Sequence, residues 1–177
     1  VDVGVVYNNF WDGFGDLSVS LNVSHIDEFF QSPAPPQQVL IDAAASGELN
    51  EGVPVTGAAD LRQENGNPEL RWTLSATWSK GPWQVGYLTQ FVDEVLQPNI
   101  LDADANPWVV DSLQTHNLYA QFRTDRILNG ASTFRIGARN LTDEDPPLAD
   151  GGGVGAYLGN IHQPVGRYLY GSISFAL

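Results

Sequence analysis

The stretch Gly166-Arg167-Tyr168-Leu169-Tyr170-Gly171-Ser172-Ile173-Ser174-Phe175-Ala176-Leu177 alternates strictly. Leu169, Ile173, Phe175 and Leu177 share one parity, with Gly171 among them; Tyr168, Tyr170, Ser172, Ser174 and Ala176 share the other. A strand turns successive side chains to opposite faces. The segment therefore predicts a strand with one greasy face and one face of hydroxyls and small groups. Such a strand suits the core of a soluble sheet, or the wall of a membrane barrel whose outward face meets lipid.

The same alternation recurs upstream. Leu70, Trp72, Leu74, Ala76 and Trp78 alternate with Arg71, Thr73, Ser75, Thr77 and Ser79, and Lys80-Gly81-Pro82 predicts a tight turn. Trp83, Val85, Tyr87 and Phe91 continue the apolar face against Gln84, Gly86 and Gln90. Trp78 and Trp83 flank the turn and are expected at one height. With Trp72 and Tyr87 they predict an interfacial aromatic girdle. The plainer account is a cross-strand aromatic pair in a soluble sheet.

Elsewhere, residues 1–7 predict a short strand, 8–15 a turn built on Asn-Asn and Asp-Gly, and 17–30 a long strand whose alternation breaks from His25 onward. Residues 31–66 predict a long loop with a short helix over 39–45, and residues 97–110 a second loop. Residues 111–126 predict a strand with Leu118, Ala120 and Phe122 on one face and Asn117, Tyr119, Gln121 and Arg123 on the other. Asn129-Gly130 predicts a hairpin turn. Residues 133–141 return as a strand, and 143–164, with Gly151-Gly152-Gly153, predict a third long loop.

The expectation is an all-β, antiparallel transmembrane β-barrel segment of about seven strands, with short turns at one end and long loops at the other. Seven strands leave two open edges. Unpaired backbone in lipid costs several kcal/mol per group, so the remaining strands are expected from upstream sequence or another chain. The opening residues read as mid-strand rather than leader, which predicts a processed or partial chain.

Composition sets further bounds. The 177 residues include no Cys, which removes disulfide frameworks, Cys-ligated zinc and thiol catalysis. No apolar run is long enough for a spanning helix, whereas a spanning strand needs only ~9–11 alternating residues. A net charge of −13 from 21 acidic and 8 basic residues argues against nucleic-acid binding. Asp42, Glu48, Glu51, Asp60, Glu64, Asp102, Asp104, Asp143, Glu144, Asp145 and Asp150 fall in predicted loops, where they read as solvated surface or as groups attracting a cation.

The run Asn140-Leu141-Thr142-Asp143, followed by Pro146-Pro147 and then Gly166-Arg167-Tyr168 opening the last strand, resembles the C-terminal end of TonB-dependent outer-membrane receptors. That family usually ends in Phe; here Leu177 is terminal and Phe175 holds the same parity. The resemblance implies residues 1–177 are the C-terminal part of a wall of about 22 strands, with the plug and earlier strands lying outside this sequence. It implies a multi-pass location in the outer membrane of a Gram-negative bacterium. Its implied partners are lipid and lipopolysaccharide, the receptor's own plug and barrel portion, and the TonB–ExbB–ExbD complex acting through the plug. It also implies uptake of a scarce nutrient: a siderophore, haem, a vitamin or an oligosaccharide.

No catalytic constellation stands out, and the chain reads as non-enzymatic. His25, His116 and His162 lack ligand spacing and read as loop or lumen residues. Asp102, Asp104, Asp143 and Asp145 are weak calcium candidates without the Gly and distal Glu of an EF-hand loop; no other cofactor is expected. Arg71, Arg123, Arg135 and Arg139 are predicted to face the lumen. There they are neutralised by acidic neighbours on adjacent strands, or else meet an acidic plug group or an anionic substrate. Two alternatives remain: a small complete outer-membrane barrel with a structural or adhesin role, and a soluble carbohydrate-binding β-sandwich that uses Trp as stacking platforms.

Overall fold

A computed structural model describes residues 1–50, 55, 59–64, 66–127, 130–150 and 155–175. Its strands are β1 (Asp2–Trp11), β2 (Gly15–His25), β3 (Phe30–Gln31), β4 (Ala59–Asp60), β5 (Leu70–Lys80), β6 (Trp83–Val92), β7 (Val95–Leu101), β8 (Pro107–Val110), β9 (Leu113–Ile127), β10 (Gly130–Arg139) and β11 (Tyr168–Phe175). One helix, α1 (Pro35–Ala45), follows β3. It begins earlier than its apolar residues suggest because Pro35 occupies the first turn, where a missing N–H costs nothing.

Seven strands form one antiparallel sheet in the order β1-β2-β5-β6-β9-β10-β11, and β3-β4 and β7-β8 form two small two-stranded sheets. The large sheet is a meander, so its connections alternate between two ends. The short turns before β2, β6 and β10 lie at one end; the long segments before β5, β9 and β11 lie at the other.

Register sorts the side chains cleanly. One row runs Val3–Val23–Trp72–Phe91, another Tyr87–Leu118–Ala138–Leu169, a third Trp83–Phe122–Phe134–Ile173. Polar groups enter this face only toward its borders: His25, Thr89, Gln114 and His116 near the long loops, Asn9, Lys80, Thr124 and Ser132 near the short turns. The opposite face pairs Ser20 with Ser75, Thr77 with Gly86, and Arg135 with both Gln121 and Ser172.

Neither face is covered by a second sheet among the described residues, and β1 and β11 are edges that do not pair with each other. The apolar face stays open: Ile136 is 70% exposed, Leu169 71% and Ile173 61%. The buried apolar cluster sits instead at the long-loop end, where Val95 and Val110 pack on Ala149 and Leu158, flanked by Trp108 and Ile161.

Several sequence expectations need correcting. β1 runs through Asn8 and Asn9, which pair with Ser18 and Leu17; the turn is confined to 12–14, where Gly13 has φ of 84°. β2 stops at His25 rather than near residue 30. The turn after β5 has only two residues, so Lys80 pairs with Trp83 while Trp78 pairs with Val85. Trp78 and Trp83 are thus one alternation step apart, about 7 Å along the strand, not level. The predicted second loop is a hairpin, β7 with β8. Its Gln97 amide donates to the Asp150 carbonyl (2.9 Å), and Gln97 Oε1 accepts from Asp150 N (2.8 Å). The hairpin thereby fastens the third long loop, and Leu96 N donates to Gln63 O (2.5 Å) on the first. Asn129, Gly151-Gly152-Gly153, Glu51 and the terminal Ala176-Leu177, for which the sequence carries expectations, lie outside the described residues.

Candidate functional site

The third long loop does not simply arch outward. Residues 161–165 lie against the polar face and, with it, enclose a groove of about 650 Å³. Its floor includes Ser75, Gln90, Asn117, Tyr119, Arg135 and Tyr170; His162 and Gln163 come from the loop. Two glycines make room for the floor's aromatic rings. A Cβ on Gly86 would lie 2.7 Å from the Tyr119 hydroxyl, and one on Gly137 would lie 2.6 Å from Tyr170 Cζ. Each ring therefore lies flat across the neighbouring strand, over a position that only glycine leaves open.

The four arginines predicted to line the interior do share this face by register. Arg135 is held in place by neutral groups. Its Nε and Nη2 donate to Gln121 Oε1 (3.0 and 2.6 Å), Gln121 Nε2 donates to Gln84 Oε1 (3.3 Å), and the guanidinium lies 4.5 Å over the Tyr119 ring. Arg71 Nη2 donates to the Gly66 carbonyl (3.3 Å). Neutralisation by acidic neighbours is not what holds them. The ion pairs among the described residues are Asp27 and Glu69 on His25, Asp60 on Arg62, and Asp143 on Arg167.

His162 is 3% exposed, and neither ring nitrogen has a hydrogen-bond partner among the described residues. Burial, reinforced by the nearby Arg71 charge, holds its pKa below the ordinary histidine value. At neutral pH the ring is uncharged, with one N–H donor and one acceptor nitrogen. The other histidines lie elsewhere: His25 between Asp27 (2.9 Å) and Glu69 (3.2 Å), and His116 Nδ1 on the Tyr87 hydroxyl (2.6 Å).

The residues of the Asn-Leu-Thr-Asp and Gly-Arg segments meet as a clasp between β10 and β11. Asn140, buried with φ of 47°, donates through Nδ2 to the Glu144 and Val165 carbonyls (2.8 and 3.1 Å) and accepts from Glu144 N (3.0 Å). Asp143 accepts from Arg167 N (2.6 Å) and pairs with its guanidinium (3.6 Å). Gly166 packs so closely on Asp143 that an added Cβ would stand 3.1 Å from its Oδ1. Leu141 donates from its backbone to His116 O, while Pro146 and Pro147 continue the loop without helix or strand.

The aromatic residues of the apolar face divide between two heights. Trp78 packs at a tilt against Phe14 (6.0 Å) and Trp83 against Phe122 (4.8 Å) at the short-turn end; Trp72 stacks on Phe91 (5.6 Å) toward the loops. Trp78 Nε1 donates to Phe14 O (2.9 Å), and Lys80 Nζ donates to Gly13 O. Tyr87 sits between the two belts, opposite Ala76 and Leu118.

No protein-family model, curated protein or solved structure matches the chain.

Two of the four calcium candidates, Asp102 and Asp143, use their carboxylates in hydrogen bonds within the chain. Asp102 Oδ1 accepts from Asn106 N and Asp104 N (both 2.9 Å), bonds that hold its carboxyl below the usual range. Asp143 serves the clasp. Among the described residues no three acidic or histidine side chains are grouped to hold a metal ion. What sequence reasoning missed is the placement of His162. A single His in a Gly- and Pro-rich loop carries no periodic signal, and only the fold of 161–165 over the sheet brings it to the groove that Tyr119 and Arg135 also line.

Proposed function

We propose that this chain forms the C-terminal part of the wall of a TonB-dependent outer-membrane receptor, the apolar face of its large sheet against lipid and the polar face lining the lumen. The observation that carries this reading is the uncovered apolar face, continuous across seven strands and bordered at both ends by aromatic residues. A soluble sheet of this size buries one face against another layer; a barrel strand presents that face to the bilayer. The open edges β1 and β11 fit a wall completed by further strands, since an open edge is not stable in hydrocarbon. The sorting of long connections to one end fits an extracellular side, and the clasp joins the Asn-Leu-Thr-Asp and Gly-Arg segments on which the resemblance rests. On this reading the protein takes up a nutrient by transport coupled to TonB and has no catalytic role.

These 177 residues contain no Cys, so with any Cys of the remaining protein replaced, labelling of single substitutions is a direct test. Single substitutions Leu74→Cys, Ile173→Cys, Ser75→Cys and Ser172→Cys are placed in the protein in outer-membrane vesicles. A lipid-phase maleimide is expected to label the first two, and a small water-soluble maleimide the last two. Equal aqueous labelling of all four sinks the wall reading.

A further inference from the structure

We propose that the groove between the polar face and residues 161–165 binds a small polyanion, its carboxylate or phosphate oxygens held by Arg135 and Arg139 and hydrogen-bonded by His162. This names a substrate class for the transport reading above and rests on that reading for which side of the wall the groove occupies. The first support is charge placement. The chain carries −13 overall, yet the polar-face positions of β5, β6, β10 and β11 hold no Asp or Glu. β9 places only Asp125 there, two residues beyond Arg123 toward the turn. Asp2 and Asp16 share this parity on β1 and β2, but no Asp or Glu lines the groove itself, in a protein whose acids lie mostly in the loops.

The second support is the posture of Arg135. A guanidinium that needed neutralising would sit on a carboxylate. This one is oriented by an amide oxygen and a ring face, which fix its plane without cancelling its charge. Its Nη1 has no partner among the described residues, nor has any nitrogen of the Arg139 side chain, which also lines the groove. A planar fork held in this way suits two-point recognition of carboxylate or phosphate.

The third support is His162. A buried ring with both nitrogens unpaired is costly unless something supplies the missing bonds. An anionic ligand oxygen accepting from the ring N–H would supply one of the missing bonds. Leu88, Val92 and Leu113 also line the groove and offer contact to a carbon skeleton, so the fit is to an organic polyanion as well as to an inorganic one.

Isothermal calorimetry on the full-length protein in detergent tests this with tricarballylate, pyrophosphate and, as neutral control, sucrose. Saturable binding of tricarballylate or pyrophosphate, and none of sucrose, is expected; which of the two binds distinguishes carboxylate from phosphate chemistry. Arg135→Gln and Arg139→Gln should each weaken binding about tenfold or more, the loss typical of a charge-assisted hydrogen bond. Arg123→Gln, on the same face outside the groove, should leave it unchanged. The His162 imidazole resonances should shift on titration, a readout that does not depend on any substitution being tolerated. No binding of either anion, equal binding of sucrose, or unchanged affinity in both groove variants overturns the proposal. So does a groove occupied by another protein segment that no anion displaces. A protein that requires detergent yet binds neither anion loses the anion site and keeps the membrane reading. One that is monodisperse in plain buffer and binds anions does the reverse.

Discussion

A lysine at Ile136 separates a lipid-facing sheet from a water-facing one by more than experimental error. On β10 the apolar face is Ser132, Phe134, Ile136 and Ala138, and the clasp residue Asn140 follows. Ile136 stands four residues from each polar end, roughly 13 Å along the strand in either direction. That exceeds what a four-carbon stem can snorkel. Its cross-strand neighbours are Ala120 and Gly171, neither of which can pair with an ammonium. In a bilayer this is the midplane position of the strand, where a cation costs about 2–4 kcal/mol, a fall of roughly 30- to 1000-fold in the folding equilibrium. In water, Ile136→Lys at a site already 70% exposed should change stability by no more than about 0.5 kcal/mol. Reversible urea unfolding in phosphatidylcholine vesicles, followed by tryptophan fluorescence, measures the difference. Ser18→Lys on the polar face, opposite Thr77, is the control and should stay within about 0.5 kcal/mol of wild type. If Ile136→Lys matches Ser18→Lys in vesicles, the face assignment is wrong, and the transport reading falls with it.

Gly137→Ala should destabilise by about 1–3 kcal/mol in the same unfolding assay, because the new methyl meets Tyr170 and, at 2.9 Å, the Leu118 carbonyl, which cannot step aside. Asn140→Ala removes three side-chain hydrogen bonds and strains a φ of 47°, so a loss of about 3 kcal/mol is expected; Asn140→Gly, which relieves only the strain, should recover about 1 kcal/mol of it. The depressed pKa of His162 means the unfolded chain binds the proton more readily, so folding weakens as pH falls through the ordinary histidine value toward the folded one. The thermal midpoint of wild type should accordingly drop between pH 7.5 and 5.5 by more than that of His162→Gln, as scanned by circular dichroism; parallel profiles would refute it.

The seven strands were legible because period-two alternation survives wherever one face is apolar and the other small and polar. Leu70 to Ser79 is the plainest case, and the four arginines fell on the polar face for the same reason. The misreadings share a cause as well. Asn8-Asn9 carries turn chemistry, but ladder pairing with Ser18 and Leu17 overrode it. The β7-β8 hairpin was hidden by Pro98 and the Asp-rich tip, and its apolar residues are buried by Ala149 and Leu158, some forty residues away in sequence. A register error of one alternation step followed from allotting the Lys80-Gly81-Pro82 turn three residues instead of two. Of the groove, Asn117, Tyr119 and Arg135 could be placed by parity alone. His162 and the clasp geometry of Asn140 depend on a loop path that no local pattern encodes.

Where the buried apolar residues lie has a consequence for how the chain is stabilised. Among the described residues the buried hydrophobic side chains are Val95, Val110, Ala138, Ala149 and Leu158, and only Ala138 belongs to the large sheet. Hydrophobic burial is the main favourable term in folding, so within this chain the sheet receives little of it. Backbone pairing alone leaves such a sheet marginal in water. The long-loop cluster is different: its apolar residues already bury one another, and the Gln97–Asp150 pair ties the hairpin to the neighbouring loop. If bilayer and neighbouring strands supply what the sheet lacks, the two halves should respond differently to solvent. Dilution from detergent into buffer should open amide exchange across β5, β6, β9 and β10 first. Val95, Val110 and Leu158 would hold their protection longer, and simultaneous loss at both ends would mean the sheet is stabilised from within the chain.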